Sequence, residues 1–213
     1  YFNAFSEPTD IAKLTDGLGT KWIIQPASHK AYATHVTHQA VVQAIQDMKH
    51  EHGLDPKAIT QVRIRGAHRI LEERHCVRDP KTVMGGQYSL PFTAAVALTR
   101  DMSNPLVYDQ AAIDDPLVRK LATDMELVVD KSVHDLFPAE VTIVCSGKTL
   151  SRLTSAHKGS PHNPLTWEDA CEKFARYTQS LVGVAQAQAI IQAVGELERQ
   201  TDMGRVAALT ARA

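Results

Sequence analysis

The sequence predicts an α+β fold: a small, mostly antiparallel sheet packed with helices and followed by C-terminal helices. Three observations carry this. "QVRIRGAH" alternates arginine with Val62 and Ile64, the period of a strand with one wet face, and "EVTIVCSGKTLSRLTSA" reads as a hairpin turning at Ser146-Gly147-Lys148. Stretches of helical period lie between the strands. The strands and helices do not alternate regularly, as a doubly wound parallel sheet requires.

Taken in order, "IAKLTDGLG" is expected to form a short helix stopped by glycine, and "KWIIQP" a strand closed by Pro26. Val41, Ala44, Ile45 and Met48 recur at helical spacing, with Thr37 as the expected N-cap and Gly53 as the stop. "LDPKAIT" is a linking turn into the "QVRIRGAH" strand, and an irregular stretch runs to Pro80. In "VMGGQYSLPFTAAVALTRD", Ser89 caps a helix of small apolar residues, with Pro91 in the first turn where a missing amide costs little. Asp115 before Pro116 opens a helix through "LVRKLATDM", and "ELVVD" follows as a strand. Thr166 and Asp169 make a capping-box start to a helix whose apolar face is Trp167, Cys171, Phe174 and Leu181. An alanine-rich last helix spans about Val184 to Glu198.

The 213 residues carry a net charge of −1 with no basic run, so nucleic acid and membrane surfaces are not expected partners. Cys76, Cys145 and Cys171 are odd in number and form no CxxC, which argues against a disulfide framework and fits a reducing, cytoplasmic setting. No apolar run has the length of a membrane span. The "YFNAFSEPTD" opening lacks the features of a signal peptide and an initiator methionine, which suggests a piece of a longer protein.

The densest chemistry is in "SHKAYATHVTHQAVVQAIQDMKHEH". His38 falls at the first turn of a helix, where the positive end of the dipole disfavours imidazolium and favours the neutral ring a general base needs. Lys30, on the loop before it, could hold a carboxylate or stabilise the charge that builds when a proton beside a carboxylate is removed. The plainer alternative is a solvated lysine and surface histidines. A zinc site of His29, His35 and His38 lacks a carboxylate or thiolate partner at ligand spacing, and no metal is assigned. Gly85 and Gly86 could expose amides to an anion or simply allow flexible helix entry. Lys49, His50 and His52 suit a helix C-terminus. His68, His75 and His134 have no evident partner, and "AHKGSPHNPLTW" reads as a surface loop or a mobile lid.

"HKAYATHVTHQAV", "HGLDPKAITQVRIRGAH", "YSLPFTAAVAL", "LFPAEVTIVCSGKTL" and "KGSPHNPLTWEDACEKF", in this order, resemble the C-terminal half of the MmgE/PrpD family. That family includes 2-methylcitrate dehydratase, cis-aconitate decarboxylase and an iminodisuccinate epimerase. The resemblance implies a helical remnant at 1–20, an α+β lid domain at 21–160, and helices at 161–213 that return to an all-helical N-terminal domain. It implies a cofactor-independent hydro-lyase, such as 2-methylcitrate dehydratase, acting on a small di- or tricarboxylic acid in a cytoplasmic homodimer. By motif, Lys30 and His38 are the catalytic positions, and Tyr32, His35, Thr37, Gln87 and Ser89 bind substrate.

The sequence also departs from the family pattern. Ala31 and Ala33 stand where prolines are common, Gln87 where a basic residue is common, and Phe92 where many members have tyrosine. Decarboxylation and epimerisation are the alternatives on the same scaffold. From another class, the chain could be an inactive interaction module pairing through "TAAVAL" and the alanine-rich helix. The family's other acid and base groups belong to the helical domain, so the 213 residues alone are expected to be inactive.

Overall fold

The computed structural model describes residues 4, 10–22, 24, 27–104, 106–133 and 138–211. Its centre is a four-stranded mixed sheet in the order β2-β1-β3-β4, built from β1 (Ile59–Gly66), β2 (Glu126–Val129), β3 (Ala139–Cys145) and β4 (Lys148–Thr154). β1 pairs antiparallel with β3 and parallel with β2, and β3 pairs antiparallel with β4. The hairpin turns where expected, with Ser146 and Gly147 both at positive φ, as a two-residue turn matched to strand twist requires.

The alternation in β1 sorts its two faces. Ile59, Val62 and Ile64 are buried with Val141 and Ile143 of β3, whereas Arg63 and Arg65 point to the wet face. There Arg65 pairs with Glu140, its cross-strand neighbour, at 2.9 Å, and Arg63 meets Glu126 at 3.5 Å. One covered face and one charged face make this an α+β layer, as expected.

Helix α1 (Gln39–His52) lies on β3 and β4 and buries Val41, Ala44, Ile45 and Met48. Gly53, left-handed at φ 59°, ends it by donating to the Lys49 carbonyl. The start differs from expectation: a 3-10 turn at Val36–His38 precedes α1, so Thr37 lies inside that turn and His35 caps it. After β1 the chain makes 3-10 turns at His68–Leu71 and Glu73–His75, then α2 (Val83–Tyr88). Gly86 lies within α2, and a Cβ there would meet the Phe92 ring at 2.8 Å, so close packing accounts for this glycine.

Helix α3 (Leu90–Thr99) packs between α1 and α5. Ser89 caps it by accepting from Phe92 N at 3.1 Å, and every residue from Leu90 to Leu98 is buried. A helix apolar all round belongs at the centre of a core. The "TAAVAL" stretch is therefore interior, which removes it as a pairing surface. Lys49, expected to complement its own helix end, instead reaches the Ala97 and Arg100 carbonyls at 2.8 and 2.7 Å and caps α3.

A short α4 (Gln110–Asp114) was not expected, and α5 (Pro116–Asp124) starts at the Asp115 cap as the sequence indicates. The capping box of Thr166 and Asp169 opens α6 (Trp167–Val182). Then come α7 (Val184–Gly195), a 3-10 turn at Leu197–Arg199, and an unexpected α8 (Met203–Ala208). The short helix expected over 11–19 is a 3-10 turn, Ile11–Leu14. The strand expected over 21–26 falls partly on residues 23, 25 and 26, outside the described set. Lys21 and Trp22 have no regular structure, and Ile24 lies in a turn.

Candidate functional site

The loop that precedes α1 carries Lys30 and His35 to the wall of a cavity of about 240 Å³, which Ala33, Thr34, Gln87 and Tyr88 complete. Two cross-chain backbone bonds hold this loop. His29 N donates to Gly159 O at 2.7 Å, and His35 N donates to Gln87 O at 3.1 Å. Lys173 of α6 adds a third tie by donating from Nζ to the Lys30 carbonyl at 2.5 Å. The Lys30 backbone is thereby fixed from two directions, and its side chain stays exposed.

Behind the wall three imidazoles meet. The ring centroids of His35 and His75 lie 4.6 Å apart, and His38 lies 5.3 Å from each of them. The Tyr88 ring stands 5.0 Å from His35 on the cavity side. Thr37 Oγ1 contacts His35 Nδ1 at 2.8 Å, which engages one ring nitrogen and leaves Nε2 for a ligand. His38 is wholly buried, and its Nε2 has no hydrogen-bond partner among the described residues. Its Nδ1 lies 3.5 Å from Thr34 Oγ1, which donates to the Gln87 carbonyl at 2.9 Å. Thr93 and Tyr108 extend this buried network.

Burial, first of all, holds His38 well below the usual imidazole range, and the nearby His75, His35 and Lys30 reinforce the effect. His35 is lowered for the same leading reason, with His75, Lys30 and Arg74 adding to it. Desolvation therefore stands where the helix dipole was expected. Both rings are disposed to be neutral, and the permanently charged groups acting on them are Lys30 and Arg74, of which Arg74 is paired with Glu72 at 2.7 Å.

This has a consequence for stability. A histidine whose folded pKa is depressed binds its proton more readily in the unfolded chain, so stability falls as pH drops below about 6.5 and stops falling once pH passes beneath the folded value. Urea denaturation between pH 7.5 and 5.5 is expected to show this loss, and His38→Gln is expected to flatten the slope. An unchanged slope in the variant would contradict the burial account.

The remaining expected positions are distributed unevenly. Tyr32 faces a second cavity of about 240 Å³, with Gln43, Lys173 and Tyr177. Its phenol donates to Gln43 at 3.3 Å and is pushed up to about 12, chiefly by burial. Gln87 lines the first cavity, and its carbonyl organises the His35 loop. Thr37 is buried against His35, and Ser89 is the buried cap of α3, donating its hydroxyl to the Val77 carbonyl.

His29 is exposed and apart from the imidazole cluster; His75, 37 positions after His38, takes the third place in it. No local signal marked His75, because its approach depends on the turn at Glu73–His75 and on its Nδ1 contact with the Tyr88 carbonyl at 3.3 Å. His134 lies outside the described residues. Lys158 is pinned to Asp169 at 2.6 Å, so its loop is tied to α6.

Residues 32–199 match the MmgE/PrpD C-terminal domain, and the chain belongs to the MmgE/PrpD enzyme family. Lys30 lies two positions before the matched region. No significant match is found among curated proteins. Among the described residues, no helix is long and apolar enough to cross a membrane.

Proposed function

We propose that this chain is the substrate-binding lid of an MmgE/PrpD-type hydro-lyase that dehydrates a small di- or tricarboxylic acid resembling 2-methylcitrate. The observation that carries the reading is the cavity of Lys30 and His35, where imidazolium is disfavoured and Lys30 is the cationic group on the wall. An acid with two or three carboxylates meets favourable charge there.

In this reading the Lys30 ammonium holds a carboxylate and stabilises the negative charge that spreads into it when the adjacent C–H proton leaves. His35 reaches the cavity, so its Nε2 is the imidazole nitrogen placed to take or return a proton. His38, buried behind it, acts as a positioning residue that keeps the site dry and the His35 ring in place. The leaving hydroxyl departs as water after protonation by a group outside this chain, supplied by a helical domain across the cavity.

The test is turnover. The full-length protein is expected to convert 2-methylcitrate to its unsaturated product faster than it decarboxylates cis-aconitate or epimerises an iminodisuccinate, and the 213-residue chain alone is expected to do none of these. Preferred turnover of cis-aconitate or the imino acid would reassign the reaction, and dehydration by the isolated chain would overturn the two-domain site.

A further inference from the structure

We propose that Gln87 and Tyr88 hold a second carboxylate of the substrate, so that the cavity takes an acid with at least two carboxylates, one on Lys30 and one on this adjacent pair. The inference rests on the reading that Lys30 receives a carboxylate. All three residues line the same cavity of about 240 Å³ with Ala33, Thr34 and His35, and among the described residues no aspartate or glutamate lines it.

Hydrogen-bond accounting carries the assignment. The Gln87 backbone carbonyl is doubly engaged, accepting from His35 N at 3.1 Å and from Thr34 Oγ1 at 2.9 Å. Tyr88 ends α2, with its carbonyl 3.3 Å from His75 Nδ1 and its ring 5.0 Å from that of His35 at a tilt of 49°. Both backbones are thus committed to the fold, but the side chains are not. Among the described residues, neither the Gln87 amide nor the Tyr88 hydroxyl has a hydrogen-bond partner, and the Lys30 ammonium has neither a hydrogen bond nor an ion pair. The Thr34 hydroxyl, by contrast, is spent on the Gln87 carbonyl.

The ligand class follows from charge. One ammonium balances one carboxylate, and a second finds no further cation on this wall. It meets an amide N–H and a phenolic O–H instead, two adjacent neutral donors for two carboxylate oxygens. A hydrogen bond to a charged oxygen is worth about ten- to a hundredfold in affinity. An acid held by Lys30 alone turns about that anchor, whereas a second anchor fixes its orientation against the wall that His35 shares.

The test is equilibrium binding of succinate and butyrate, four-carbon acids with two carboxylates and one, to the 213-residue chain by NMR titration. Succinate is expected to bind at least tenfold more tightly than butyrate. Tyr88→Phe keeps the ring against His35 and removes only the hydroxyl; it is expected to cut that preference about threefold or more, and Gln87→Leu combined with it to abolish the preference while butyrate affinity stays unchanged. Equal affinity for the two acids, a preference that survives the double variant, or an equal loss of both acids in Tyr88→Phe would overturn the second anchor. Butyrate binding that disappears in Lys30→Ala would then leave the Lys30 reading standing, whereas no binding of either acid overturns both.

Discussion

His35→Gln in the full-length protein is expected to lower kcat by about 10²- to 10⁴-fold, the range that loss of a positioned acid–base group produces. Glutamine keeps the size and polarity of the position but cannot exchange a proton with substrate. His35 is the member of the imidazole cluster on the cavity wall, and Thr37 anchors its Nδ1 at 2.8 Å. Because Lys30 remains to hold the carboxylate, KM is expected to change only a few-fold. The acidic limb of the kcat–pH profile is expected to disappear with the imidazole. A loss below tenfold with the limb retained would move the proton transfer elsewhere.

Gly159→Ala is expected to damage both stability and binding from a position that touches no substrate. A Cβ at residue 159 would stand 2.0 Å from the His29 carbonyl oxygen, and the backbone there is left-handed at φ 89°. The loop must move away, breaking the bond from His29 N to Gly159 O and releasing the residue next to Lys30. Strain at such a position costs about 1–3 kcal/mol, and the overlap adds to it. KM is expected to rise at least tenfold, with a smaller effect on kcat. Gly147→Ala is the matched control, because it also has positive φ but meets open space, so it carries the backbone strain alone. Equal effects of the two substitutions, in urea midpoint and in KM, would contradict the clamp on Lys30.

Much of the fold was legible because it depends on local pattern. The Arg63/Arg65 alternation, the Ser146-Gly147 turn, the Asp115 cap and the Thr166/Asp169 box each state their structure within a few residues. Errors came where tertiary contact overrides that pattern. Thr37 looks like a helix cap, but the His35 side chain takes the role one turn earlier. "TAAVAL" looks like a small-residue pairing face, yet α1 and α5 enclose it. Lys49 sits at one helix end and caps another.

The site divides in the same way. Lys30, His35 and His38 were found because they share one short segment with helical and loop signals. His75 could not be, because nothing near it in sequence distinguishes it from His68 or His50. The Lys173 and Gly159 contacts that fix the Lys30 loop join segments more than a hundred residues apart. Tyr32 illustrates the converse: its motif places it with Lys30, but one residue of loop path turns it toward Gln43 and a separate cavity.

The central claim is that Lys30 and the adjoining imidazoles receive a polycarboxylate. Its most direct test is a histidine-resolved NMR titration of the 213-residue chain with 2-methylcitrate. Saturable shifts of the His35 ring signals, lost in Lys30→Ala, are predicted. Absence of those shifts, their persistence at full strength in the variant, or changes confined to the exposed His50 and His52 would contradict the account.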